Sequence, residues 1–280
     1  MKRLIIIMLA ALTLSGCKDD NNDTGNGKTI TMTTAASGNV PLFLGGSGKA
    51  VVNWGDGSAV ETVTLPSSGI ELARHVYADA TVRTITIKGE NITYLSCDDN
   101  KLTALDVSKN TVLEVLHCDR NDLTSLDLSK NTALTTLRCE YNELTVLEIS
   151  KNTALIELQC GYNQLTALDI SKNTLLKLLY CSGIRQSITI LDVSKNAALT
   201  VLWCNYIPIT ALDLSKNPAL SWLKCSGCNL EKAALLDIFN ALPVRPSNNR
   251  GNIECSGNPG SSKLTAAERT IPENKNWTLI

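Results

Sequence analysis

At 280 residues the chain is long enough for two modest domains, or for one elongated repeat body with end pieces. Its 26 basic and 27 acidic residues give a formal net charge of −1, with 44% hydrophobic and 19% charged residues. The composition is that of a globular protein, and it gives no electrostatic ground for a nucleic-acid partner.

The first residues, MKRLIIIMLAALTLSGC, place Lys2 and Arg3 before an apolar run from Leu4 to Leu14 and end in small residues before Cys17. This reads as a signal peptide over 1–16, too short and wrongly flanked for a membrane span. Its removal leaves 24 basic against 27 acidic residues, a net of −3. Leu14-Ser15-Gly16-Cys17 resembles the bacterial lipobox, which implies a lipidated Cys17 as the mature N-terminus; cleavage without lipid is the alternative. Residues 17–27, with KDDNNDTGNG after the cysteine, read as a flexible tether, and Lys18-Asp19-Asp20 resembles the surface-export signal of Bacteroidota lipoproteins. Several acyl chains anchor a protein stably, so the expected location is the outer membrane or cell surface, lipid-anchored, with the membrane touched through that anchor only.

Residues 28–91 alternate β-prone runs with Gly, Asn and Ser turns. Val51 to Trp54, then Gly55-Asp56-Gly57, then ETVTL, reads as a hairpin closed by an Asp-Gly turn. WGDGS, HVY and TITIKG together resemble the PKD-like β-sandwich, which implies a small domain of that kind here. A turn role is favoured for Asp56 over that of a cation ligand.

The middle of the chain is a repeat. Cysteines stand at 97, 118, 139, 160, 181, 204 and 225, each 21 residues from the last except for 23 between 181 and 204, where SGIRQ (182–186) carries the two extra residues. Each unit reads like LTSLDLSKNTALTTLRCEYNE (123–143), with L-x-x-L-x-L-x-x-N followed by L-x-x-L-x-C-x-x-N. Apolar alternation around each LxL or LxC triplet predicts a short strand, and the Asn after it a turn, so a unit holds two strands and two turns and no helix. Such a unit cannot bury its leucines alone and must stack. The pattern, over roughly 92–229, resembles the leucine-rich repeat family in its short irregular bacterial class. The resemblance implies a mainly β solenoid of 21-residue coils, with LxC as the concave strand. It departs from the pattern at Ile207 and Cys228, which stand where the Asn after cysteine belongs, and around the insertion after Cys181.

Residues 230–280 read as a small α+β cap. NLEKAALLDIFNAL has a helical apolar period through Ala233, Leu236 and Leu242, with Asn229 placed as N-cap and Pro243 past the end. GNIECSGNPG suggests a strand and turn, and NWTLI a final strand. A solenoid needs both ends covered, so the cap closes one end and the β domain the other.

Chemistry is sparse. Cysteines one coil apart at a leucine position suit a narrow core better than a metal, and parallel side chains about 4.8 Å apart do not converge as a disulfide requires. Cys225-Ser226-Gly227-Cys228 is a C-x2-C, but both cysteines are explained by repeat position; a pairing of Cys228 with Cys255 is left open. There are two histidines, His75 and His117, and no catalytic constellation. No enzyme activity, cofactor or metal is expected. Asp106, Asp127, Glu148, Asp169, Asp192 and Asp213 form one column, with Lys109, Lys130, Lys151, Lys172, Lys195 and Lys216 three residues on. A self-paired, solvated face is favoured over calcium binding.

Comparison of the repeats with one another locates the candidate site. On the LDLSKN side the outward residues scarcely change; on the LxC side they vary freely. Before each cysteine stand Ser96, His117, Arg138, Gln159, Tyr180, Trp203 and Lys224, and two residues after it Asp99, Arg120, Tyr141, Tyr162, Gly183, Tyr206 and Gly227. Six of the ten Trp and Tyr gather there, counting Trp222. Rings that pack on one another or under the caps are the bland reading; exposed aromatics among polar neighbours mark a recognition surface. The candidate ligand-binding face is therefore His117, Arg138, Tyr141, Gln159, Tyr162, Tyr180, Trp203, Tyr206, Trp222 and Lys224. The expected function is non-catalytic binding of a protein or peptide in adhesion or host interaction, with a surface glycan as the alternative ligand.

Overall fold

The computed structural model describes residues 28–183 and 187–280. The signal peptide (1–16), the lipidation site Cys17, the tether (17–27) and residues 184–186 of the insertion lie outside the described residues.

The β-prone N-terminal runs form β1 (Lys28–Thr34), β2 (Gly38–Asn53), β3 (Glu61–Leu65), β4 (Ile70–Tyr77) and β5 (Arg83–Ser96). Alternate residues of β1 (Ile30, Met32, Thr34) are buried, as a half-buried strand requires. β2 and β5 are long and antiparallel to each other. β2 holds β4 and then β3 on its other edge, while β5 holds β1 along its first half. The β2–β5 register slips at Gly45/Gly46. There Gly46 sits at φ 141°, and a Cβ on it would fall 1.8 Å from the Asn91 carbonyl oxygen, so only glycine fits this bulge. The β2–β3 connection is not a two-residue Asp-Gly turn: Val52 pairs with Glu61, leaving a longer loop between them. Within it Asp56 accepts the Ser58 amide at 3.0 Å and meets His75 Nε2 at 2.6 Å, which is a turn role.

β5 crosses the 91/92 boundary and becomes the first rung of the solenoid. Its last residues, Tyr94 to Ser96, pair in parallel with β7 (Val115–His117), after β6 (Leu102–Asp106) has turned back onto β1. The parallel ladder continues through β8 (Thr136–Arg138), β9 (Glu157–Gln159), β10 (Leu178–Tyr180), β11 (Val201–Trp203) and β12 (Trp222–Lys224). The central leucine of every rung is fully buried, as is each ladder cysteine.

A coil contains one strand, not two. Past Leu105 the LxL segments have no strand assignment among the described residues. Their acids do not pair with the lysines either. Asp127 Oδ1 accepts the Ser129 amide at 2.9 Å, and each other acid of the column does the same with the serine two residues on. These hydrogen bonds hold the carboxyls below their ordinary pKa. Among the described residues no ion pair joins the two columns. The column caps turns, with the lysines standing in solvent.

Buried asparagines stitch coil to coil. Asn142 Nδ2 donates to the carbonyls of Cys118 (2.9 Å) and Cys139 (3.2 Å), and its Oδ1 accepts the Leu123 amide at 3.1 Å. Asn121 and Asn163 repeat the arrangement. A second column on the other turn donates likewise, Asn152 to Leu128 and Asn131 carbonyls at 3.1 and 2.8 Å. Cys228, in place of an asparagine, donates its thiol to the Cys204 carbonyl at 3.2 Å.

The ladder does not stop at residue 229. Ile253-Glu254-Cys255 followed by Asn258 is another LxCxxN: β13 (Gly251–Glu254) pairs in parallel with β12, and Asn258 bonds the Cys225 and Cys255 carbonyls at 2.8 and 2.9 Å. Its distance from Cys225 reflects α1 (Lys232–Ala241), which occupies that coil. The helix N-cap is Glu231 rather than Asn229, and the face it buries is Leu235, Ile238 and Phe239; Ala233 is exposed and Leu236 half-buried. β14 (Trp277–Leu279) adds the last rung, with Trp277 fully buried. Cys228 and Cys255 are reduced thiols, not joined to each other.

Two outcomes test this packing. Asn142→Ala orphans the buried Leu123 amide and takes one of two asparagine hydrogen bonds from each of the Cys118 and Cys139 carbonyls; it lowers the unfolding free energy by about 2 kcal/mol in chemical denaturation, where a loss below about 1 kcal/mol would deny the asparagine its stitching role. Burial pushes the ladder thiols up, Cys181 to about 12; Cys228 alone is drawn down, by its hydrogen bond with the Cys204 thiol, and it too is buried. A thiol reagent at pH 8 therefore labels none of Cys97 to Cys255 in the native protein and all nine after unfolding.

Candidate ligand-binding face

Among the described residues nine parallel rungs, from the end of β5 through β14, form one continuous sheet, about 38 Å from first to last at roughly 4.8 Å per spacing. Because the middle leucine of each rung from β5 to β12, and Ile253 of β13, points inward, the residues on either side of it point out. They make two columns: one runs Ser96, His117, Arg138, Gln159, Tyr180, Trp203, Lys224, Glu254, and the other Tyr94, Val115, Thr136, Glu157, Leu178, Val201, Trp222, Asn252. A third column, two residues after each cysteine, forms a lip. There Asp99, Arg120, Tyr141, Tyr162 and Tyr206 all have φ between 54° and 60°. The left-handed backbone turns the chain out of the strand in every coil, and Gly183, Gly227 and Gly257 occupy the same position elsewhere.

The structure gathers the ten sequence-predicted residues into separate groups. On the floor, Tyr180 and Trp203 stack with centroids 4.3 Å apart, Trp222 meets Trp203 edge-on at 5.4 Å, and Lys224 Nζ lies 4.6 Å over the Trp203 ring. Lys224 also pairs with Glu254 at 3.0 Å. Toward the middle, Arg138 Nε and Gln159 Nε2 both donate to Glu157 Oε1, at 2.9 and 2.7 Å. At the N-terminal end His117 packs edge-on against Tyr94, whose hydroxyl is 3.3 Å from Nδ1. Burial, and then Arg138, hold the His117 pKa below its ordinary value. On the lip Tyr141 and Tyr162 stack at 4.3 Å and nearly parallel, with the Arg120 guanidinium 4.4 Å over Tyr141. Tyr206 stands apart, 51% exposed, its ring over Gly227, where a Cβ would come within 2.4 Å of Cδ1.

The rings pack on one another, each pair adding on the order of 1 kcal/mol beyond its buried area, and part of their surface stays exposed: Tyr141 is 39% and Trp222 36% exposed. Tyr94, Glu157 and Glu254 belong to the surface and escaped the sequence reading, which followed the columns one before and two after each cysteine and ended at Cys225. Their signal was available, since Tyr94 stands three residues before Cys97 as Trp222 does before Cys225.

One more group is set by the residue that follows each cysteine. Asp98 Oδ1 accepts the Asp119 amide at 2.7 Å, and Asp119 Oδ1 accepts the Glu140 amide at 2.6 Å, so carboxylates step from coil to coil just inside the lip. Burial, and then the neighbouring Asp98, push Asp119 up to about 7. Among the described residues no group of His, Cys, Asp and Glu is arranged to hold a metal ion, and no helix is long and apolar enough to cross a membrane.

No protein-family model matches the chain, and no curated protein does. Among solved structures it is similar to internalin C2 of Listeria monocytogenes, at 19% identity over 68% of this chain and 81% of that one, with a TM-score of 0.54. That likeness shows the leucine-rich repeat solenoid fold. The functional domain of InlJ from Listeria monocytogenes, which includes a cysteine ladder, is 29% identical over 69% of this chain, with a TM-score of 0.46; the chain spans half the length of that domain. A leucine-rich repeat protein of Leptospira interrogans is 18% identical over 66% of this chain and 59% of its own, with a TM-score of 0.47.

The acid step gives a pH prediction. A carboxyl with a raised folded pKa contributes full stability below its unfolded pKa and loses that contribution as pH rises through the folded value, so stability falls between about pH 4 and pH 7. Asp119→Asn, which keeps an oxygen for the Glu140 amide, raises the melting temperature at pH 8 but not at pH 4. Equal shifts at the two pH values would contradict this.

Proposed function

We propose that this protein is a non-catalytic binding protein, held at the outer membrane or cell surface by lipid on Cys17, that recognises a protein or peptide on its concave face and lip, in adhesion or host interaction. The observation that carries the reading is the placement of tyrosine in left-handed backbone. Tyr141, Tyr162 and Tyr206 occupy a conformation that disfavours a Cβ by about 1–2 kcal/mol, at a position three other coils fill with glycine. Folding is better served by glycine there, and strain of this kind concentrates at functional positions. The rings project from the lip partly exposed, Tyr141 and Tyr162 already ordered by stacking, so those two have little freedom left to lose on binding. Solenoids of this class use such concave surfaces for recognition.

A surface glycan is the second reading, favoured by the single observation that the Tyr206 ring presents an unshared face beside Gly227. Floor residues Leu178 and Val201, interleaved with the aromatic rungs, suit a polypeptide better than a sugar.

Pull-down with the soluble chain lacking residues 1–27 identifies the ligand, and Tyr206→Gly then tests the site. Removal of the ring relieves left-handed strain, so unfolding free energy changes by less than about 1 kcal/mol, while affinity for the captured protein falls roughly ten-fold, the loss of about 1.4 kcal/mol of binding. Unchanged affinity removes the lip from the site; capture of polysaccharide instead of protein selects the second reading.

A further inference from the structure

The sheet that carries the concave face does not end at β5. Ser96 of β5 stands opposite Phe43 of β2, and Tyr94 opposite Gly45; Phe43 and Gly45 stand in turn opposite Leu72 and Ile70 of β4. Directly opposed residues of an antiparallel pair project to the same side, so Phe43, Ile70 and Leu72 share the side of Tyr94, Ser96 and, through the β5–β7 pairing, His117. Leu44 and Leu95, one residue out of phase, are fully buried on the other side. The result is an apolar continuation of the face: Phe43 is 39%, Ile70 49%, Leu72 45% and Val76 67% exposed. A cleft of about 540 Å³ opens at the junction, walled by Gly45, Pro66, Ile70 and Tyr94 among others.

Two further features decide what would cover this patch. β4 pairs only with β2, so among the described residues its outer edge has no strand partner over eight residues. A long apolar edge offers unpaired N–H and C=O groups that only another polypeptide strand can match. The patch also borders the acid steps. Ser96 Oγ donates to Asp98 at 2.8 Å, and Asp98 leads on to Asp119 and Glu140. Of the nearby bases, Arg138 is engaged by Glu157 and Arg120 lies over Tyr141, while Arg74, exposed on β4 opposite Pro41, shares the side of Leu72.

We infer that the recognition surface runs past the solenoid onto β2 and β4, and that this end takes an extended polypeptide segment whose aliphatic or aromatic side chains lead into lysine or arginine. The inference rests on the concave-face reading and names the chemistry of the partner at one end of it. Aliphatic side chains give a sugar ring no plane to stack on, and a glycan has no main chain to pair with a strand edge.

Fluorescence anisotropy with the full chain tests this with three labelled peptides of equal length: an apolar half followed by a lysine half, the same apolar half followed by glutamate, and a serine half followed by lysine. The apolar–lysine peptide binds roughly ten-fold tighter than either control. Ile70→Ser combined with Leu72→Ser, both at exposed positions, removes that advantage over the serine–lysine peptide without changing the melting temperature, and Ile190→Ser, exposed on the uniform side, leaves it intact; Trp203→Ala is measured beside them. Absence of binding, equal binding of the three peptides, or an advantage that survives in the β4 variant overturns the inference. If Trp203→Ala abolishes binding and the β4 variant does not, the peptide sits on the aromatic floor: the extension fails and the concave-face reading stands. If neither variant changes binding, both fail.

Discussion

A coil of this solenoid cannot satisfy its own backbone. With one three-residue strand per coil and, among the described residues, no helix until α1, the amides and carbonyls of the two turns would be buried without partners, at about 1–3 kcal/mol apiece. The asparagine amides supply the missing bonds, and they do so between coils as well as within them: Asn142 reaches the carbonyl of the preceding cysteine while accepting an amide of its own coil's entry. Stacking is thus a hydrogen-bond requirement before it is a hydrophobic one. The narrowness of the core follows from it. Side chains that sit beneath these turns must be small and apolar, which is why cysteine stands where leucine would otherwise continue, buried and with its thiol turned to the next coil's carbonyl, as in Cys118 to Arg138.

The same constraint shapes the surface. The turn after each cysteine puts the second residue past it into left-handed backbone, before Ile207 and Cys228 as before the asparagines, and that residue is thrown outward as the lip. Every coil therefore presents three outward positions at fixed spacing, two on the strand and one on the lip, whatever residues occupy them. Rings placed at those positions fall into register with the rings above and below; the Tyr141–Tyr162 and Tyr180–Trp203 stacks are the outcome. The ends obey the requirement too. β5 offers its last three residues as a ready-made rung, and β13 and β14 continue the ladder beyond α1, so neither end of the leucine column meets water directly.

The repeat was legible in the sequence because its period is carried by the residues under strongest constraint, the buried Leu, Cys and Asn. What was misread were features that depend on neighbours in space. The LxL triplets alternate as a strand should, yet among the described residues they form no strand past Leu105, and the acids that looked like ion-pair partners found nearer donors in the serine amides. The rung at Ile253 to Asn258 carried the motif in full but lay 30 residues from Cys225 because a helix had been inserted, so a search for period 21 passed over it. Of the candidate face, the column before the cysteine was readable from its variation. Tyr94 and Glu157 were not, since their column had not been compared, and the continuity with Phe43 and Leu72 exists only through the β2–β5 register.

The central claim is that the side of the sheet set by the cysteine and asparagine columns, and not the uniform side, meets the partner. A photo-reactive phenylalanine analogue placed at Tyr180 on the floor, and in a second protein at Ile190, 78% exposed on the uniform side, tests it directly when each full-length protein is irradiated on intact cells. The account predicts a protease-sensitive adduct from position 180 and none from position 190. Adducts of equal yield from the two positions, or an adduct from 190 alone, would contradict it.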